Sequence, residues 1–214
     1  MQGNANFRWL WFGQIVSLFG DWFNLIASVA LIAALTESGL AVGGLFVVRM
    51  LAPFLTSPLA GVVADSCNRR NILIAADIVR GVVVLGMLIV RSEDLVWLLY
   101  VLTALQLGTT SFFFTARKAM LPDIVEGRTL GTANALTAAT WSVMLAVAAG
   151  LGGFATGLLG VHAALTIDAA TFFLSAALVA QIRWKPQLNE DRPTAVKSAF
   201  AMFREVIRYR FRTP

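Results

Sequence analysis

An all-α polytopic membrane protein is the fold class this sequence predicts, and three observations predict it. Apolar residues fill 58% of the 214 positions and charged residues only 14%, where a soluble domain of this length carries roughly a quarter. The mean hydropathy is +0.75. The apolar residues also fall in runs long enough to cross a bilayer, which takes about 20 residues of helix each, and short polar turns separate the runs.

Six such runs are visible, near 9–35, 40–64, 72–90, 95–116, 131–158 and 163–182. The first is too long for the apolar region of a cleavable signal peptide and has no small-residue cleavage site after it, so it reads as a spanning helix. Thr36–Gly39 makes a turn before the second run. The third follows a charged turn, Asp65–Asn71, and Arg91–Asp94 separates it from the fourth. A longer polar stretch, Arg117–Leu130, leads to the fifth, and Leu159–His162 leads to the sixth. Connections this short predict that sequential helices are antiparallel neighbours in one six-helix bundle. Gly150, Gly152, Gly153 and Gly157 crowd the fifth run, where small residues let helix backbones approach closely.

The spacing from Gly61 to Asp77, across the end of the second run and the start of the third, is nearly that from Gly153 to Asp168. Either this is coincidence or the chain holds two three-helix repeats of opposite orientation, with Asp77 and Asp168 as equivalents.

Residues 1–184 form the transmembrane domain in this reading, and 185–214 form a cytoplasmic segment. Pro186 and Pro193 mark a linker. From 194 to 211, Val196, Phe200, Phe203 and Ile207 lie on one helical stripe, with Lys197, Arg204, Arg208 and Arg212 towards the other side. That amphipathic basic helix suits an anionic membrane surface or the cytoplasmic face of the bundle.

Among the basic residues, Arg91 falls in an outer loop and Arg49 and Arg80 fall within helices; all the others lie on one side. The positive-inside rule makes that side cytoplasmic, with both termini on it, in a multi-pass protein of the inner (plasma) membrane. The net charge of +5 therefore reports topology, and nucleic acid is not an expected partner. Trp9, Trp11, Trp97 and Trp184 fall at helix ends, where aromatic belts form. One cysteine, Cys67, and one histidine, His162, leave no disulfide framework or metal cluster to expect. No phosphate-cradling loop or nucleophile elbow occurs, so neither an enzyme nor a cofactor is expected.

Charges within the apolar runs need partners or water. Asp21 lies midway along the first run and Arg49 near mid-depth in the second, which makes them candidates for a pair facing a central cavity, for substrate or proton coupling, or for a purely structural pair. Asp77 and Arg80 are three apart on the third and share a face. With Asp65, Arg69 and Arg70 nearby in sequence, they predict a charge network locking the inner ends of the second and third helices. Asp168 falls near the outer end of the sixth, where it would be half hydrated. An intramembrane aspartyl protease using two of Asp21, Asp77 and Asp168 is disfavoured: Leu18–Asp21 lacks the first glycine of that site, and Asp77 and Asp168 fall near opposite membrane faces.

The turn Gly61, Asp65, Arg69, Arg70 resembles the loop between the second and third helices of the major facilitator superfamily (MFS), with Ser66 where arginine is usual and Asn68 where glycine is usual. Gly20-Asp21, Thr36–Gly39, Ala76-Asp77 with Arg80, Phe113–Asp123 and Asn134 are similar to its drug-exporter and siderophore-exporter-like branch. Ala148-Ala149 stands where that branch tends to carry Gly-Pro. The resemblance implies an alternating-access secondary transporter, with efflux of a small molecule and proton coupling as expectations. It also implies a conformational gate at Gly61, Asp65, Arg69 and Arg70, in which Asp65 and Arg69 act as a charge relay. Family members have twelve helices, so only an N-terminal half is covered. A second six-helix half, as another chain or a second copy, is the implied partner beside the lipid bilayer. A truncated product without transport of its own is the alternative.

Overall fold

The structure is a computed structural model, described over residues 4–125 and 127–183. It contains six long helices: α1 (Ala5–Thr36), α2 (Gly39–Ser66), α3 (Arg69–Met87), α4 (Val96–Ile124), α5 (Gly127–Leu159) and α6 (Val161–Ala180), with one 3-10 turn, Glu93–Leu95, ahead of α4. Five are long and apolar enough to cross a membrane by length and composition. The exception is α3, because Arg69, Arg70, Asp77 and Arg80 all fall within it. The amphipathic stretch expected at 194–211 lies outside the described residues.

Local chemistry sets the helix ends. Asn4 caps α1 by accepting from the Phe7 backbone at 3.0 Å, and α1 stops at Glu37, whose φ of 48° is left-handed. Ser38 caps α2 one residue later. Asn68 caps α3, its Oδ1 accepting from the backbones of Arg70 and Asn71. Gly160, at φ +85°, makes the sharp turn from α5 into α6, in a backbone region other residues rarely adopt. The expected loop 117–130 is almost entirely helix, since α4 runs on to Ile124 and α5 starts at Gly127. A count of apolar residues sees only the part of a helix that lies in hydrocarbon, and both helices continue past it.

The expectation that sequential helices are the main neighbours is corrected. Helix α2 packs on α4, α1 packs on α6 and α5, and α3 packs on α4 and α6, while α2 barely touches α3 and α4 barely touches α5. Short turns fix only where two helices meet. Close approach along their length is decided by small residues, a different one at each contact. Gly108 of α4 receives Thr56 of α2, whose Oγ1 donates to the Gly108 carbonyl at 3.2 Å. Gly13 and Gly20 of α1 lie against Ser175, Val179, Thr171 and Asp168 of α6. Gly81 of α3 takes the ring of Phe173, and Gly152 of α5 touches the backbone of α1 at Trp22 and Phe23. The other crowded glycines of the fifth helix, Gly150, Gly153 and Gly157, face open space.

The result has two layers. In front stands a row in the order α2, α4, α1, α5; α3 and α6 stand behind it. Exchanging the first three helices for the last three leaves this packing pattern unchanged, since α1 on α6 becomes α4 on α3 and α1 on α5 becomes α4 on α2. Two apolar clusters fill the bundle. One, around Phe7, Leu73, Phe113 and Met120, lies towards the end that carries residues 4 and 183, called here the terminal end. The other, around Phe23, Ile32, Leu99 and Phe172, lies towards the far end.

A methyl group on Gly20 would collide with Thr171 and Asp168, whereas one on Gly153 would meet nothing. Gly20→Ala is therefore expected to lower stability by about 1–3 kcal/mol, and Gly153→Ala to leave it unchanged or raise it by up to about 1 kcal/mol. Thermal unfolding of the two purified variants in the same detergent checks the contrast.

Candidate functional site

Between the two clusters sits Arg80, with no exposure to solvent. Removing a guanidinium from water costs several kcal/mol unless hydrogen bonds and opposite charge replace the lost hydration. Four helices supply that replacement. On α3 itself Asp77 Oδ1 accepts from Arg80 Nη2, one turn back. On α1 Asp21 Oδ2 lies 3.9 Å from Nη1. The rings of Phe113 on α4 and Phe172 on α6 sandwich the guanidinium, with centroids 4.5 and 4.3 Å away, a geometry in which the ring faces attract the cation. Ser175 of α6 then donates to the second Asp77 oxygen at 2.7 Å.

The sequence expectations for these residues are partly redirected. Asp21 finds Arg80 rather than Arg49: α1 and α3 both pack on α6, which brings Arg80 of α3 towards Asp21. Arg49 is half-buried, its Nη1 is without a hydrogen-bond partner, and it feels Asp21 and Asp168 only at longer range. Asp77 and Arg80 do pair, but they tie α3 to α1, α4 and α6 rather than locking the inner ends of α2 and α3. Asp168 is fully buried instead of half hydrated, and its Oδ1 sits over Gly20. Asp77 and Asp168 converge on the Arg80 region from two helices; they do not lie at opposite faces.

The charged turn between α2 and α3 forms a second arrangement, at the terminal end. Arg69 pairs with Asp123 of α4 at 2.5 Å, and it also donates to the carbonyls of Ala119 at 3.0 Å and Ala64 at 3.4 Å. Arg70 reaches the Ala180 carbonyl at the end of α6 at 2.6 Å. Both cations thus sit at helix C-termini, where free carbonyls and the helix dipole favour positive charge. Asp65 is exposed and makes no ion pair among the described residues, and Gly61 faces open space. The carboxylate that Arg69 meets is therefore Asp123, which lies in the segment Phe113–Asp123 and had no role of its own in the expected gate. Nearby, Asn4 donates to the Ile124 carbonyl. Asn6 exchanges two 2.9 Å hydrogen bonds with the backbone of Arg183. Together these contacts tie the ends of α1, α3, α4 and α6.

The third feature is a cleft of about 580 Å³ in the front row, between α1, α2, α4 and α5. Gln14, Phe114, Arg117, Lys118, Asn134 and Trp141 are among its lining residues. Of these, Asn134 and, within Phe113–Asp123, Phe114, Arg117 and Lys118 belong to the family likeness, and Arg117 and Lys118 were also assigned to an inner loop. The structure instead places Arg117 inside α4, 6% exposed, its Nη1 donating to Gln14 Oε1 at 2.6 Å. Only the continuation of α4 past the apolar run reveals this, so composition carried no signal for it.

Arg80→Met would leave Asp77 and Asp21 buried without their cation. It is expected to cost about 3–5 kcal/mol of stability, and adding Asp77→Asn should recover part of that loss. Denaturation of the single and double variants measures the coupling.

Residues 10–214 match the Major Facilitator Superfamily. The chain is 27% identical over 206 residues to the protein named "Putative bacilysin exporter BacE" of Bacillus subtilis (strain 168), an alignment covering 95% of this chain and 50% of the relative. It is also 27% identical over 167 residues to the "Uncharacterized MFS-type transporter YfiS" of the same organism, covering 78% of this chain and 39% of the relative. A third relative, the "Uncharacterized MFS-type transporter y4rN" of Sinorhizobium fredii, is 27% identical over 198 residues, covering 89% and 47%. The chain spans about half the length of the curated relatives it matches. With a match over nearly its whole length, it belongs to the Major Facilitator Superfamily, a family of integral membrane transporters.

Proposed function

We propose that these residues form the first six-helix half of a secondary transporter that exports a small molecule by alternating access. The observation that carries the reading is the cleft in the front row, lined by α1, α2, α4 and α5 and by no residue of α3 or α6. A second six-helix half, from another chain or a second copy, would close that side and complete a substrate path. The helix-exchange pattern of the packing supports two three-helix repeats of opposite orientation.

Six crossings follow once α3 is counted. Its central charges, Asp77 and Arg80, are turned inward and fully buried, so Ile78, Val79, Val82 and Leu85 make up the exposed surface there. An even number of crossings and the basic bias support a plasma-membrane protein with both termini in the cytoplasm. The terminal end is then the inner mouth. There Arg69 with Asp123, and Arg70 with the end of α6, act as the conformational gate that holds this end closed and opens as the halves rock. Of the three carboxylates near Arg80, Asp21 alone keeps some exposure, 18% of its side chain. It is accordingly the residue through which proton coupling would run.

A chain with no transport of its own is the second reading, favoured by its covering only half of its relatives. Vesicles loaded with either this chain alone or the chain joined to its second half separate the two. Sustained efflux from the joined form but not the single chain supports the half-transporter; efflux from neither overturns it. In the joined form, Asp123→Asn should slow transport several-fold while shifting unfolding by no more than about 1 kcal/mol, since the Arg69–Asp123 pair is partly exposed. Asp21→Asn should abolish efflux driven by a proton gradient. Unchanged pH-driven flux in that variant would remove Asp21 from the coupling.

A further inference from the structure

The cleft also carries a charge pattern that its role as a path does not explain. Two cations line it, Arg117 and Lys118, and among the described residues no carboxylate does. The acids that might neutralise Arg117 are engaged elsewhere: Asp123 pairs with Arg69, and Asp77 and Asp21 face Arg80. Arg117 is more than nine-tenths buried. It gives one N–H to Gln14, and its Nε has no partner. A buried guanidinium with an unpaired N–H is costly when left alone, and its planar fork is the group that recognises a planar anion.

The rest of the wall sets the size and character of that anion. Phe114, whose ring centroid lies 5.7 Å from the Arg117 guanidinium carbon, and Trp141 supply aromatic surface. Ser57, Thr110, Thr137 and Asn134 supply neutral polar groups. One buried cation among apolar and uncharged walls fits a single negative charge on an amphipathic body. A phosphate, with more charge to neutralise, would call for several converging cations or a helix N-terminus.

We propose that the cleft selects small carboxylates: Arg117, held in place by Gln14, takes the carboxylate group, while Phe114 and Trp141 take an adjoining apolar or aromatic group. Lys118, exposed at the rim, draws the anion in. Calling this ligand a substrate rests on the transporter reading above; the binding itself does not.

Isothermal titration of the full-length protein in nanodiscs tests the assignment, using phenyl-substituted carboxylates of increasing chain length and their uncharged amides. Saturable binding of at least one carboxylate, at least about tenfold tighter than its amide, is expected for a charge-assisted pair. Arg117→Gln should bring that ratio near one, Arg117→Lys should restore part of it, and Lys118→Gln should weaken the carboxylate only a few-fold. Equal affinity for acid and amide, no saturable binding of any carboxylate, or a preference that survives Arg117→Gln would each overturn the proposal. If Arg117→Gln does not fold, the ratio in the unaltered protein still decides. Flux measured after the same proteins are reconstituted into sealed vesicles separates the two readings. Carboxylate preference without flux sinks the transporter and leaves the cleft assignment standing, whereas flux indifferent to substrate charge does the reverse.

Discussion

A guanidinium shut off from water must be neutralised by whatever surrounds it, and Arg80 sits where the two apolar clusters of this bundle meet. Asp77 and Asp21 give it charge, and Phe113 and Phe172 give it ring faces. Ser175 holds the second oxygen of Asp77. These partners come from α1, α3, α4 and α6, so moving any one of the four helices leaves a buried charge or acceptor exposed to apolar surroundings. That constraint fixes the centre of the bundle more strictly than the apolar packing around it, because hydrophobic contacts are non-directional and tolerate small shifts. It also explains how α3, with four charges in 19 residues, packs among strongly apolar helices.

With the back of the bundle pinned through α3 and α6, the front row is free to differ in character. There α2 and α5 stand at the two edges and carry much of the exposed apolar surface, including Met50, Phe54, Phe154 and Leu158. Exposed apolar patches of this kind mark a surface meant for lipid or for another protein element. Between the edges, the cleft is the one part of the row where a buried cation, amides and aromatic rings come together. Rigid back and open front are separate consequences of the same arrangement: the small residues that bring α1 onto α6 and α4 onto α2 also decide which side is left uncovered.

Much of the membrane architecture could be read before the structure. The six apolar runs each became a long helix, and Glu37, Asn68 and Gly160 stand at or next to turns the polar breaks had marked. The charged residues within the runs were the right ones to single out. Their partners were less legible. Asp21 was expected to meet Arg49, Asp77 and Arg80 to meet the α2–α3 turn, and Asp65 to meet Arg69; instead Asp21 turns to Arg80, and Arg69 to Asp123. The first two expectations assumed that helices adjacent in sequence pack along their length, and the third came from the family resemblance of the turn. Arg117 was missed for a different reason, since a polar residue beyond an apolar run looks like loop until the helix is seen to continue.

The sequence by itself determined that this chain is a helical membrane protein of the Major Facilitator Superfamily, because hydrocarbon demands long apolar segments with internally bonded backbone and because the charged turn carries a family pattern. Only the tertiary structure decided which charges pair and where the cleft lies. Helix pairing depends on where glycines permit close approach and on which buried charges must be satisfied together. Those are relations between residues far apart in the chain that no local spacing encodes.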